Sequence, residues 1–278
     1  VEHREPVEFD DAANTGRRDA DRPVLVTGGT GTLGRRVVRR LSAKGRAVRV
    51  LSRRPRPAGD REPYDWATGD LSTGEGIDAA VEGVGAIVHC ATTIGRGDVA
   101  ATRRLVDAVR RSGGGPHLVH ISIVGVDRVP FVYYRAKLAT ERIVAGAGLP
   151  WSILRATQFH DLIARIVDAQ RRLPVTLALG GVRFQPVDAG EVADRLAALV
   201  VGGPAGRVPD MGGPQVRDHR ELTRTTLRAR GRRRPVLPLR LPGAVFRAYR
   251  EGGHLTPDHA VGRVTYDEYL AARTPPAG

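Results

Sequence analysis

Tyr133 and Lys137 stand four residues apart in the stretch YYRAK, a spacing that places both side chains on one face of a helix. An ammonium beside a phenol stabilises the phenolate, lowering the tyrosine pKa toward neutrality so that the hydroxyl exchanges a proton with a carbonyl or an alcohol. The pairing is informative because the chain has two lysines, Lys44 and Lys137. Tyr134 lies about 100° further round the helix and is expected to face elsewhere. Ser122 closes an apolar run upstream of the tyrosine, where a hydroxyl can hydrogen-bond a substrate oxygen and orient it; a serine that caps a turn reads the same way.

A second group of residues suits an anion. Gly28, Gly31 and Gly34 follow the apolar run Pro23 to Thr27 and precede Leu33, Val37, Val38 and Leu41, which repeat at helical spacing. In a chain with 34 glycines the pattern alone is weak, and an ordinary glycine-rich turn spells it too. Its place between a strand and a helix gives it meaning: glycines let backbone approach a pyrophosphate, and the helix directs free N–H groups and its positive dipole end at that anion. About 20 residues further on, where a carboxylate would bond a ribose 2′-hydroxyl, the chain reads Leu51-Ser52-Arg53-Arg54. Two guanidiniums there suit a 2′-phosphate, so the expected cofactor is NADP(H); the alternative is two solvated arginines.

The elements that must position these groups alternate. Strands are expected at Pro23 to Thr27, Ala47 to Ser52, around Trp66 to Leu71, at Ala86 to Ala91, His117 to Ser122 and Trp151 to Arg155, with helices at Val99 to Arg111 and Tyr133 to Ala147 among those between them. Such alternation implies a parallel sheet covered on both faces. After Arg155 the rhythm breaks: Asp188 and Glu191 resemble a capping box opening a helix through Val201, Arg217 to Arg230 and Tyr266 to Ala272 look helical, and prolines punctuate the rest. Residues 1–22, with seven acids and four arginines and no apolar period, are read as a disordered tail. The expected division is therefore this tail, a dinucleotide-binding core over 23–155, and a smaller C-terminal substrate part over 156–278, partly interleaved with the core.

Composition narrows the class. The chain has 278 residues, 44 basic and 30 acidic side chains, and a net charge of +14. Arg35 to Arg61 holds eleven bases and one acid, and Arg217 to Arg250 eleven bases and two acids. Aromatic residues make up 5% and none interleaves the first cluster, so stacking platforms for single strands are missing and nucleic acid is not expected as a partner. No apolar run is long enough to cross a bilayer, and a lone Cys90 excludes an intrachain disulfide and a cysteine-based metal site. The expectations are a cytoplasmic protein without membrane or metal, acting on a small molecule as a monomer or homodimer.

TGGTGTLG at Thr27 to Gly34, GDL at Gly69 to Leu71, Ser122 and YYRAK together resemble the short-chain dehydrogenase/reductase superfamily, most closely its atypical, NmrA-like branch of NAD(P)H-binding proteins. The resemblance runs from Pro23 to about Val201. It implies an α/β, Rossmann-type doubly wound parallel sheet, with Gly28, Thr30, Gly31, Thr32, Leu33 and Gly34 at the pyrophosphate and Arg53 and Arg54 at the 2′-phosphate. Asp70 and Leu71 would flank adenine, Ala91 and Thr92 would lie along the ribose with Lys137, and Tyr133, Lys137 and Ser122 would be catalytic. Gln158, Phe159 and His160 fall where such enzymes enter the substrate pocket. The loop after the fourth strand reads CATT where the main branch carries an asparagine-containing motif, so that asparagine's relay role has no evident occupant.

The resemblance implies an NADPH-dependent oxidoreductase transferring hydride to a small carbonyl or imine. Two readings stay open beside it: an NADP-binding regulator without turnover, which has no use for Tyr133 next to Lys137, and a non-redox epimerase or cyclase that uses bound nucleotide.

Overall fold

The computed structural model describes residues 22–93 and 96–273; the expected tail lies, except for Arg22, outside them. In the first half strand and helix alternate: β1 (Val24–Thr27), α1 (Thr32–Ala43), β2 (Val48–Ser52), β3 (Asp65–Thr68), α2 (Ile77–Val81), β4 (Ala86–His89), α3 (Arg96–Ser112), β5 (His117–Ile123), α4 (Val132–Ala145) and β6 (Trp151–Ala156). The second half is more broken, with α5 (His160–Ala169), β7 (Thr176–Leu179), β8 (Arg183–Phe184), α6 (Ala189–Gly202), β9 (Gly206–Arg207), β10 (Arg217–Asp218), α7 (His219–Ala229), β11 (Val236–Leu239), α8 (Ala244–Arg250) and α9 (Tyr266–Ala271).

Seven strands make one parallel sheet in the order β3-β2-β1-β4-β5-β6-β9. All four residues of β1 are buried, because alternate side chains enter two different cores. Val24 and Val26 join Val37, Leu41 and Leu196 under α1 and α6, whereas Leu25 joins Leu105, Val109 and Val144 under α3 and α4. Apolar surface on both faces is the reason such strands read as near-continuous hydrophobic runs. Strand order reverses direction between β1 and β4, which opens a crevice at their carboxyl ends.

The chain returns to this sheet late. α6 packs against α1 and β9 pairs with β6, so residues beyond the sixth strand complete the main sheet and one of its helical layers. A separate cluster of Ile163, Phe184, Leu222, Tyr266, Tyr269 and Leu270 supports two small sheets, β8 with β10 and β7 with β11.

Element boundaries differ from the sequence reading where hydrogen bonding intervenes. The third strand stops at Thr68 instead of running to Leu71, since Asp70 opens a turn in which its Oδ1 accepts from the Ser72 N–H at 2.7 Å. The fourth stops at His89, the last residue in register with β1. Asp188 does cap α6, accepting from the N–H groups of Gly190 and Glu191. The box is not closed, however, because the Glu191 carboxylate accepts instead from the backbone of Arg263, at 2.8 Å, and of Val264.

Several core polar groups are histidines. His89 bridges Thr27 and Thr102 inside the main sheet; His219 Nδ1 accepts from the Leu179 N–H, and His254 Nε2 donates to the Arg183 carbonyl. Burial pushes His89 down to about 3 and His219 and His254 down to about 4, so all three are neutral in the folded chain. Unfolded histidine takes up a proton near pH 6.5. The unfolded state therefore binds more protons below that pH, and stability should fall as the pH drops toward 4, by about 1.4 kcal/mol per pH unit for each such histidine. Urea midpoints measured between about pH 7.5 and 4.5 check this, and a constant midpoint contradicts it.

Candidate active site

A cleft of about 790 Å³ opens at the carboxyl ends of β1, β2 and β4. Its floor is a glycine cradle. Gly28 has φ +66°, and a Cβ there would lie 2.8 Å from the Ala91 backbone. A Cβ on Gly34 would lie 2.1 Å from the Gly28 carbonyl oxygen, so the first turn of α1 is pressed against the end of β1. The amino end of α1 has no side-chain cap and no acid in its first turn, which leaves its dipole and N–H groups open to an anion. Gly28, Thr30 and Gly31 line the cleft. Thr32, Leu33 and Gly34 do not: the Thr32 carbonyl accepts from Arg36, Leu33 is a core side chain, and Gly34 packs on the Gly28 carbonyl.

Arg53 and Arg54 stand together at the rim beyond β2. Arg35 and Arg39, projecting from α1, line the same cleft. Trp66 Nε1 donates to the Arg54 carbonyl at 2.9 Å and stacks with Tyr64 at 6.3 Å between ring centroids, so two rings wall the end of the cleft beside the arginines. Asp70 and Leu71 form the opposite wall. The backbone N–H and hydroxyl of Ser72 hold the Asp70 carboxyl below its ordinary value. Ala91, whose N–H donates to Thr27 Oγ1, and Thr92 continue the wall toward α3.

Tyr133 and Lys137 do not line the cleft themselves but are tied to its inner end through Thr92 and Asp98. Thr92 Oγ1 donates to Asp98 Oδ2 at 2.7 Å and lies 3.0 Å from the Tyr133 hydroxyl. The single threonine proton is committed to the carboxylate, so the tyrosine O–H donates to Thr92. Lys137 Nζ sits 3.5 Å from the same Asp98 oxygen, with both side chains almost fully buried. Burial pushes the Lys137 ammonium down from the usual lysine range, against which the Asp98 charge and hydrogen bond hold it up.

Tyr133 behaves otherwise than its spacing from Lys137 predicts. Burial pushes its phenol up and the Asp98 charge adds to the rise, against which only a Thr92 hydroxyl turned to donate to the phenolate would act. The expected depression by the lysine is absent because Lys137 turns its charge to Asp98. Ser122 is buried, and its Oγ has no hydrogen-bond partner. Tyr134 faces the other way, as expected, accepting from Gln158 Nε2 at 3.2 Å and packing on Tyr249.

Of the expected substrate residues, Gln158 is buried with its Oε1 unpartnered, and Phe159 is half-buried against the main core. His160 must be corrected. Its ring is fully buried between Tyr266 and Tyr269, 5.5 and 5.0 Å away between centroids, and Nε2 donates to the Val264 carbonyl. It belongs to the C-terminal core, because the first turn of α5 points that side chain inward. Cys90 lines the cleft, and burial pushes its thiol up to about 12, which keeps it protonated near neutral pH. Among the described residues no cluster could hold a metal ion, and no helix is long and apolar enough to cross a membrane.

Sequence reasoning missed Asp98, Tyr64, Trp66, Arg35 and Arg39. Asp98 carried one signal, an acid in the first turn of the helix after the CATT loop; the aromatic pair carried another, two rings close behind the double arginine in a chain poor in rings.

The profile of a family described as NAD(P)H-binding matches residues 28–196. A (4-alkanoyl-5-oxo-2,5-dihydrofuran-3-yl)methyl phosphate reductase of Streptomyces griseus is 32% identical over 220 residues, covering 75% of this chain and 74% of that protein. Among solved structures, the NADPH complex of an NADPH-dependent quinone oxidoreductase from Escherichia coli superposes with a TM-score of 0.77 at 16% identity, covering 90% of this chain and 99% of the other. Triphenylmethane reductase of a Citrobacter species, complexed with NADP(H), gives 0.73 at 18% identity with the same coverage. The two structural likenesses establish the fold.

The cradle itself is testable. Gly34→Ala forces its methyl against the Gly28 carbonyl, and overpacking of this kind costs about 1–3 kcal/mol. The expected outcome is lower stability in urea and at least a tenfold loss of dinucleotide affinity by fluorescence titration. Wild-type behaviour in both would show that the close approach is dispensable.

Proposed function

The chain belongs to the NAD(P)H-binding family, an atypical branch of the short-chain dehydrogenase/reductase superfamily, and from that premise we propose that it is an NADPH-dependent reductase of a small carbonyl or imine substrate. The observation that carries the reading is the chain of contacts from Tyr133 through Thr92 to Asp98 and Lys137, set at the inner end of a cleft whose outer end holds Arg53 and Arg54. The glycine cradle and the uncapped amino end of α1 suit a pyrophosphate, and the two guanidiniums suit a 2′-phosphate better than a ribose hydroxyl.

A dihydronicotinamide supplies hydride when it is bound at such a site. The residues supply the rest. Tyr133 gives its proton to the substrate oxygen or nitrogen, and the burial that pushes its pKa up keeps that proton in place until it is needed. Lys137, paired with Asp98, keeps its positive charge at the far end of the contact chain, with Thr92 standing between that pair and the phenolate. Ser122 Oγ, unpartnered but buried and outside the cleft lining, is the hydroxyl that would orient the substrate heteroatom. The name of the Streptomyces griseus relative specifies an alkanoyl-substituted oxo-dihydrofuran phosphate, which supports a carbonyl-bearing substrate here and puts that class in the first assay panel.

Fluorescence titration should find NADPH bound more tightly than NADH. Arg53→Ala should weaken NADPH about tenfold, the worth of a charge-assisted phosphate contact, and leave NADH unchanged; equal affinities in the wild type would sink the assignment. On a carbonyl and imine panel, Tyr133→Phe should lower kcat by about a hundredfold or more with cofactor affinity intact. Turnover that survives the substitution removes Tyr133 as the proton donor, and binding without turnover across the panel favours a nucleotide-sensing regulator.

A further inference from the structure

We propose that Asp98 is the positioning residue of this site, holding Lys137 directly and Tyr133 through Thr92, and so filling the place for which the CATT loop offers no asparagine. The proposal rests on the reading of Tyr133 and Lys137 as the catalytic pair.

The two carboxylate oxygens of Asp98 have different work. Oδ1 accepts from the N–H of Thr93 and, at 3.0 Å, from its hydroxyl, an arrangement that fastens the CATT loop to the first turn of α3. Gly97 makes room for it, since a Cβ there would lie 2.5 Å from Thr93 Oγ1. Were Asp98 only a structural clasp, Oδ1 would suffice. Oδ2 faces the site instead, accepting from Thr92 at 2.7 Å and pairing with Lys137 at 3.5 Å. Asp98 is 3% exposed and Lys137 is 4% exposed. Neither charge is favourable at such depth without the other, because a buried ion that loses its partner retains its full desolvation penalty.

The other groups facing Lys137 do not replace Asp98. Glu141, one turn along α4, is claimed by a two-pronged pair with Arg155 at 2.8 and 2.7 Å. Cys90 is a thiol, and burial keeps His89 and His120 neutral. Thr92 supplies the link to the tyrosine. While Tyr133 is protonated, it donates to Thr92 and Thr92 donates to Asp98. Once the phenol O–H bond breaks and its proton forms the new bond on the substrate heteroatom, Thr92 keeps its own proton and turns it toward the phenolate, with Lys137 still held by the carboxylate.

The two lysines make a direct test. In protein labelled with ¹³C at lysine Cε, Lys44→Arg leaves one lysine signal, and its pH titration reads Lys137 alone without turnover. Asp98→Asn should lower that midpoint by a unit or more, and the basic limb of kcat/KM should move the same way. An unmoved midpoint in folded Asp98→Asn protein overturns the proposal. A moved midpoint in an enzyme that turns over nothing on the panel leaves the pairing standing and sinks the reductase reading. Thr92→Val, at an exposed position that leaves the buried charges intact, keeps the proposal testable if the Asp98 variant does not fold: kcat should fall tenfold or more with the Lys137 midpoint unchanged, and wild-type kcat overturns the tyrosine arm.

Discussion

Everything chemical in this molecule hangs from the place where backbone meets backbone at the ends of two neighbouring parallel strands. Gly28, leaving β1 with a positive φ, comes so close to Ala91, leaving β4, that no side chain fits between them, and Gly34 packs onto the Gly28 carbonyl from the other side. These contacts set α1 with its amino end over the crevice and steer the CATT loop along the rim. The loop carries Thr92 and leads into α3, whose first turn presents Asp98. A displacement of one residue at Gly28 would break its approach to Ala91 and shift the glycine turn against the CATT loop, because the parallel pairing of β1 with β4, down to Thr27 with His89, holds the two in register.

The end of the site that carries Tyr133 and Lys137 is held by buried polarity. Arg155 at the end of β6 is clasped by Glu141 of α4 and by Asp127, with the arginine and Glu141 nearly inaccessible. Two-pronged pairs of this geometry fix direction as well as distance. They orient α4, the helix that carries Tyr133, Lys137 and Glu141 on successive turns. The same helix face therefore offers one buried charge to the strand beneath it and another to α3, which keeps the two ion pairs apart.

Part of the positive charge serves the fold itself. Arg49 donates to the carbonyls of Ala80 and Glu82 at the end of α2. Arg110 does the same for Gly146 and Ala147 beyond α4, and Arg234 for Gln170, Arg171 and Leu173 beyond α5. Helix carboxyl ends leave carbonyls unpaired and carry partial negative charge, and a forked guanidinium satisfies two or three of them at once. Arg53 and Arg54, with Arg35 and Arg39, stand instead around the cleft.

Local pattern was enough for the elements of the first half, since strands buried on both faces and helices with one apolar stripe announce themselves through period and β-branching. It was also enough to pick out the glycines after β1, the double arginine and the Tyr133 to Lys137 spacing, each a pattern written within a few residues of chain. What depends on distant partners could only be decided by the tertiary structure. Lys137 turns to Asp98, 39 positions earlier, and Tyr133 keeps a raised pKa that local spacing would have lowered. His160 faces two tyrosines more than a hundred residues later in the chain and not a substrate. The physical reason is the same in each case: a side chain's charge, burial and direction follow from what packs against it, and in a doubly wound sheet those neighbours come from strands and helices far apart in sequence.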